Sequence, residues 1–151
     1  MENFFKPLRI VYIALLAGQV FFLVIITALV EAGGVRLQID LFGQLLKVII
    51  GVIALGSVIA GAFLYRKKLG EIDPADSNSQ RLEKYRAAFI SRLALCEFPV
   101  LFSIILYFMT SDRFFLLSSL ILIVYFIFLR PDREKIFEQL QISSIERTDK
   151  F

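Results

Sequence analysis

The feature that most constrains this chain is an apolar run from Ile10 to Val30 that contains no charged side chain. A helix of about 20 such residues, at about 1.5 Å per residue, crosses the hydrocarbon layer of a bilayer. The run is too long for the apolar part of a signal peptide, and no convincing cleavage site of small residues follows it. We therefore expect a transmembrane helix that stays in the mature protein.

Three further apolar runs follow, at 42–65, 87–110 and 114–129. The last run is slightly short for a span, so it must either thin the bilayer locally or include flanking residues in the helix. The whole chain is 58% apolar, above the roughly 45–50% of soluble domains, and a soluble domain this small could not bury that surface. We predict one all-α membrane domain over residues 1–151, a membrane-spanning four-helix bundle with spans at 10–30 and at these three runs.

Lysine and arginine are distributed unequally about the predicted spans. One side of the membrane carries only Arg36 and Arg113. The basic residues of the other side are Lys6, Arg9, Arg66, Lys67, Lys68, Arg81, Lys84, Arg86, Arg130, Arg133 and Lys135. The positive-inside rule then places both termini, the loop 66–86 and the tail 130–151 in the cytoplasm. Because the net charge of +3 is explained by this placement, no nucleic-acid partner is expected.

Two cytoplasmic segments show helix signals. Ser77 and Gln80 have the spacing of a capping box, so the third helix should begin near Ser77 and rise from the cytoplasm into the bilayer. Beyond Pro131, residues 132–140 place their apolar side chains on one side, which predicts a short amphipathic helix on the cytoplasmic surface. It would serve as an anchor or as a docking site for a soluble partner.

Composition argues against most enzymatic chemistry. The chain has no histidine and a single cysteine, Cys96, which removes imidazole bases, Cys/His zinc sites and disulfides. The spans contain no paired carboxylates and no nucleophile with an evident base. We predict no catalytic residue, no metal site and no cofactor.

Charged side chains inside a bilayer are costly and therefore mark functional candidates. Glu97 lies near mid-membrane in the third span, and Gln19 reaches a similar depth in the first, so they could form a hydrogen bond if these helices are neighbours. Three roles remain open for Glu97: a polar link between helices, a proton or cation site, or a contact with lipid or a partner subunit.

Two cations also enter the spans. Lys47 either extends outward to the membrane surface or reaches inward toward Glu97, and Arg92 should extend to the cytoplasmic headgroups. Pro99 should kink the third helix and free the Leu95 carbonyl, which adds an acceptor beside the carboxyl.

The second span contains small residues at the spacing that lets helices approach closely. The pairs are Gly56 with Ala60 and Ser57 with Gly61. Packing within the bundle is the simpler explanation, and a contact with another subunit is the alternative.

Residues 14–22 and 94–102 match at Ala, Leu, Val and the final Phe with a constant offset, as two duplicated helical hairpins would produce. At these residues the chain resembles small four-helix integral membrane proteins of bacteria with no assigned function. It also has a fainter similarity to the proteolipid subunits of rotary ATPases, in which a mid-membrane carboxylate binds the transported ion and a Gln on the adjoining helix can assist. The resemblance implies a bacterial inner membrane location and an ion site at Glu97 and Gln19.

Two functions follow from the sequence. The first is an accessory or scaffolding subunit of a membrane complex, suggested by the small size, the small-residue face and the cytoplasmic projections. Its partners would be the lipid bilayer and other membrane protein subunits. The alternative is a protein that binds or translocates a proton or cation at Glu97.

Overall fold

The computed structural model describes residues 2–33, 42–73 and 75–131, and most of these residues are helical. The four helices are α1 (Glu2–Glu31), α2 (Phe42–Gly70), α3 (Asn78–Thr110) and α4 (Arg113–Phe128). This confirms the all-α prediction for the described part of the chain. The predicted amphipathic helix at 132–140 lies outside the described residues.

The helices extend beyond the apolar runs that predicted them. The helix α1 begins well before Ile10, and α2 continues past Tyr65 to Gly70, so the predicted loop 66–86 is mostly helical. Hydropathy marks only the part of a helix that lies in lipid, whereas helical hydrogen bonding continues into the polar layer. Lys67 and Lys68 lie in the last turn of α2, where a cation interacts favourably with the helix dipole.

The start of α3 confirms the predicted capping box. The Ser77 hydroxyl accepts from the Gln80 backbone N–H at 3.4 Å, and Gln80 Oε1 accepts from the Ser77 backbone N–H at 3.1 Å. Just before the cap, Lys84 Nζ donates to Asp76 at 2.6 Å. This bond is the main reason that the pKa of Asp76 is held below its usual range. The turn before α3 is therefore fixed by its own polar side chains.

The helix α3 is the centre of the bundle, because it packs against each of the other three helices. The helix α2 packs almost entirely against α3, and among the described residues α1 and α2 scarcely meet each other. One side of α3 is therefore left open between α1 and α2.

The core consists of two clusters at opposite ends of the bundle. The proximal cluster contains Phe5, Leu8, Tyr12, Tyr65, Leu82, Tyr85, Ala88, Phe89, Leu93, Cys96, Phe126 and Leu129. The distal cluster contains Leu23, Ile26, Val30, Ile50, Val100, Ile104, Leu106, Tyr107, Phe115, Leu122 and Ile123. Because the first parts of α1 and α3 meet the last parts of α2 and α4, successive helices run in opposite directions.

Three of the helices, α1, α2 and α3, are long and apolar enough to cross a membrane, and α4 is a shorter apolar helix of 16 residues. Although short, α4 joins both clusters, with Phe115 in the distal one and Phe126 in the proximal one. Its end is fixed to α1, since Tyr12 stacks on Phe126 and donates to the Ile127 carbonyl at 3.0 Å.

The outward side chains of the bundle are those of a protein surrounded by lipid. Large apolar residues are exposed along α1, α2 and α4, among them Phe21, Phe63 and Ile121. Apolar patches of this extent are rare on soluble monomers. The length and composition of the helices and this surface together indicate an α-helical membrane protein.

Candidate functional site

Gln19 lies in the buried stripe of α1, between Tyr12 of the proximal cluster and Leu23 of the distal cluster. Its side chain is 1% exposed, and neither Oε1 nor Nε2 has a hydrogen-bond partner among the described residues. A buried amide without water or a partner costs about 1–3 kcal/mol. Gln19 is thus a polar side chain with unused bonding capacity in the interior of the bundle.

Glu97 occupies the corresponding level of α3, because it follows Cys96 of the proximal cluster and precedes Val100 of the distal one. The residue is half-buried, and the neighbouring Phe98 is 57% exposed. Its carboxyl forms no hydrogen bond or ion pair with any described residue. Glu97 therefore lies at the border between the packed interior and the open side of α3.

The structure brings the helices of Gln19 and Glu97 together but does not join the two side chains. The helices α1 and α3 pack against each other, as the predicted hydrogen bond required. Within the described part of the chain, however, both polar atoms of Gln19 remain unbonded. The prediction of a shared level is consistent with the two clusters, and the predicted hydrogen bond is not formed.

Pro99 is buried two residues after Glu97, inside a helix that runs without a break from Asn78 to Thr110. Proline has no N–H to donate to the carbonyl four residues earlier, so the Leu95 carbonyl lacks its usual helical donor. This places one more acceptor in the same turn as the Glu97 carboxyl. The kink itself stays a prediction.

Lys47 points away from Glu97 and toward the connection between α3 and α4. Its Nζ lies 2.7 Å from the Asp112 carboxylate and 5.5 Å from the centre of the Phe114 ring. Of the two alternatives for Lys47, the structure therefore supports the outward one. Asp112 also accepts from the Phe114 backbone N–H at 2.9 Å and caps α4.

Sequence reasoning missed Asp112 as the partner of Lys47. A signal was present, because a connection of two residues, Ser111 and Asp112, places this carboxylate at the same end of the bundle as the start of α2. The Lys47 ammonium, and after it the Phe114 N–H, hold the pKa of Asp112 below its usual range. The pair ties α2 to the start of α4.

We expect Asp112→Asn to lower the free energy of unfolding by at most about 1 kcal/mol, because the two side chains are 29% and 36% exposed and solvent screens them. A carboxyl with a lowered folded pKa contributes stability that is complete above its unfolded pKa and is lost as pH falls through the lowered value. Wild-type protein should therefore lose this contribution in acid, whereas Asp112→Asn should not. Unfolding by denaturing detergent as a function of pH measures both effects.

A double-mutant cycle with Lys47→Met provides the control for this prediction. If the ion pair is the cause, the two substitutions together should cost less than the sum of their separate effects. Strictly additive losses would contradict it.

For Arg92, the extension to the cytoplasmic headgroups stays a prediction. Its guanidinium lies over the Tyr65 ring of α2, 5.0 Å from the ring centre, and its Nε is buried without a hydrogen-bond partner in the described part of the protein. An aromatic face attracts a cation through its quadrupole, so Tyr65 is a favourable neighbour for the guanidinium.

The small residues of α2 divide into two faces. A Cβ added to Gly61 would lie 3.6 Å from both Arg92 Cγ and Cys96 Sγ, so this glycine packs closely against α3. A Cβ added to Gly56 would meet nothing within 4 Å. Ala60 and Ser57 are both half-buried. Close packing within the bundle therefore occurs at Gly61, while Gly56 faces outward.

The charges around Glu97 leave its carboxyl without a counter-ion. Among the described residues, Lys47 pairs with Asp112 and Lys84 pairs with Asp76, and neither of these ion pairs includes Glu97. In the same part of the chain, no group of three or more His, Cys, Asp or Glu side chains could hold a metal ion. What the arrangement offers is a carboxyl at mid-level, one buried amide and a carbonyl without its helical donor, which can hold a proton or one small cation.

Comparison with known proteins finds no relative of this chain. No family model, curated protein or solved structure matches the chain.

Proposed function

We propose that this chain is a multi-pass membrane protein that reversibly binds a proton or a small cation at Glu97, with Gln19 as the second polar group of the site. The observation that carries the proposal is that two polar side chains, on two helices that pack together, each lie between the two clusters of the core. One of them is buried with an unbonded amide, and the other has no counter-charge within the described residues.

The energetics favour a reversible site over a fixed polar link. An ionised carboxylate without a partner is costly in lipid, at about 2.5–3.5 kcal/mol on insertion scales. A bound proton or cation neutralises the carboxylate. In both cases the carboxyl keeps an oxygen or a hydroxyl with which the Gln19 amide can form a hydrogen bond. A static link would instead be expected to have formed its hydrogen bond already. The half-buried position of Glu97 leaves its carboxyl partly accessible from outside the bundle.

We further propose that both termini lie in the cytoplasm, in the inner membrane of a bacterium. Exposed basic side chains concentrate at the end of the bundle that holds the proximal cluster, and they are Lys6, Arg9, Arg66, Lys67, Lys84, Arg86 and Arg130. At the distal end the described and exposed basic residue is Arg113. Such asymmetry sets orientation by the positive-inside rule.

A hydrophobic carbodiimide tests the site, because it reaches carboxyls from the lipid and adds to their protonated form. In liposomes, intact-mass measurement should find one adduct on the wild-type protein and none on Glu97→Gln. Labelling should fall as pH rises, since the reactive proton is then lost. If the site also takes a cation, Na⁺ or K⁺ at constant pH should slow the labelling.

The matched control is Glu83→Gln, which removes an exposed carboxyl from an earlier turn of the same helix. This variant should label as the wild-type protein does. Equal labelling of Glu97→Gln, or no adduct on folded wild-type protein, would reject the proposal.

The second candidate function is that of an accessory subunit, and the outward face of α2 favours it. Gly56 leaves open space on a helix that is held almost entirely along the side facing α3, so another helix could approach its backbone closely. A stoichiometric partner should then co-purify with the wild-type protein and with Gly51→Leu, but not with Gly56→Leu. A stable monomer without co-purifying protein would contradict this candidate.

A further inference from the structure

Two half-buried cations, Lys68 and Arg92, lie where α2 meets the first part of α3. Lys68 Nζ lies 2.8 Å from the Ser91 hydroxyl, and Arg92 follows Ser91 in the chain. Ser91 donates its own proton to the Ala87 carbonyl at 2.8 Å, so its oxygen accepts from the lysine. We call Lys68, Ser91 and Arg92 the Lys68 cluster.

Neither cation of the Lys68 cluster has a carboxylate partner among the residues that the structure describes. Lys68 binds a hydroxyl, and the ammonium therefore keeps N–H groups that can still donate. Arg92 lies against the Tyr65 ring with Nε unbonded, and none of its guanidinium N–H groups donates to a described residue. The ammonium of Lys68 and the guanidinium of Arg92 are thus half-buried cations without an anionic partner among the described residues.

The Lys68 cluster borders the open side of α3. Ser91 lies on the stripe that also carries Ala87, Ala94, Phe98 and Ile105, all four of them exposed. This stripe faces outward because α1 and α2 pack on either side of α3 and scarcely meet. The apolar stripe therefore begins at Ser91, where Lys68 is bonded, and leads from there toward mid-membrane, with Arg92 on the adjoining face of α3.

We propose that the Lys68 cluster binds the phosphate of an anionic phospholipid, whose acyl chain lies along the apolar stripe of α3. The ammonium and the guanidinium supply the charge and the directed N–H donors that a phosphate oxygen requires. The cluster lies at the end of the bundle with the excess of basic residues, and anionic lipids are attracted to such segments. A soluble anion would have no use for the adjoining apolar stripe.

Native mass spectrometry of protein released from nanodiscs tests the proposal with defined lipids. Wild-type protein should retain phosphatidylglycerol in preference to phosphatidylcholine. Lys68→Gln and Arg92→Gln should each lower the retention of phosphatidylglycerol roughly five-fold, which corresponds to the attraction of one basic residue for an anionic lipid. Arg92→Lys should restore part of the loss, because it keeps the charge without the planar fork.

Lys67→Gln is the matched control, since it removes an exposed lysine from the same turn of α2. It should retain phosphatidylglycerol as the wild-type protein does. If Arg92→Gln fails to fold because its contact with Tyr65 is lost, Lys68→Gln decides the question alone.

Three results would overturn the proposal. Equal retention of the two lipids would show that charge is not recognised. Equal losses from Lys67→Gln and Lys68→Gln would reduce the effect to the general charge of that end. Displacement of the lipid by millimolar inorganic phosphate, with no requirement for an acyl chain, would reassign the cluster to a free anion.

Discussion

Replacing Gly61 with leucine is expected to force α2 away from α3 and to lower the free energy of unfolding by about 1–3 kcal/mol, the usual cost of overpacking a close contact. The glycine faces Arg92 and Cys96 at distances that just admit a methyl group, 3.6 Å in both cases. A leucine side chain would extend its further carbons into these neighbours. Because α2 is held almost entirely by α3, the packing that is lost at this contact is not replaced by contacts with other helices.

Titration with denaturing detergent, followed by circular dichroism, measures this effect. Gly61→Ala should be nearly neutral, because its Cβ falls within ordinary van der Waals distance. Gly56→Leu is the matched control on the same helix, where nothing lies within 4 Å, and it should leave stability within about 0.5 kcal/mol of the wild-type value. Similar losses from leucine at the two glycines would show that α2 does not pack as described.

The contrast between these glycines shows where sequence reasoning stops. Spacing identified Gly56 with Ala60 and Ser57 with Gly61 equally, because both pairs allow close helix approach. Which pair is used depends on the rotation of α2 about its axis. Hydropathy cannot determine that rotation in a helix that is apolar all round.

The positions of the spans and the cap of α3 were predictable from the sequence, because both depend on residues that are close together in the chain. The cost of burying charge in lipid fixes the spans, and the capping box at Ser77 depends on residues three apart. Interactions between distant parts of the chain were predicted less well. For Lys47 the alternatives were the membrane surface and Glu97, and no contact between Arg92 and Tyr65 was predicted, because Asp112 and Tyr65 stand on other segments of the chain.

The candidate site was predictable in its position along the helices but not in its side-chain contacts. Counting residues from the ends of the apolar runs placed Gln19 and Glu97 at one depth, and each of them lies between the proximal and the distal cluster along its own helix. Depth depends on helical rise alone, which is constant. The absence of a hydrogen bond between them depends on side-chain orientation, which residue counting does not determine.

Gln19→Leu is expected to raise the free energy of unfolding by about 1–2 kcal/mol, which is unusual for a substitution in a packed interior. The folded protein loses no hydrogen bond to a described residue, because neither polar atom of Gln19 has one there. The unfolded chain in denaturing detergent regains water at this amide, so the wild-type protein pays a desolvation cost that leucine of similar size avoids. The same detergent titration measures the change.

The sign of this change distinguishes a static polar link from a site kept for function. If Gln19 joined α1 to α3 through Glu97, leucine would destabilise the bundle by about 0.5–1.5 kcal/mol, the usual worth of a hydrogen bond. Gln44→Leu, at an exposed position near the start of α2, is the control and should change stability little. If Gln19→Leu is more stable and yet alters how cations protect Glu97 from carbodiimide, the amide serves the bound ion, because it does not stabilise the fold. Lower stability with unchanged protection would instead assign Gln19 to packing and would leave Glu97 to act without it.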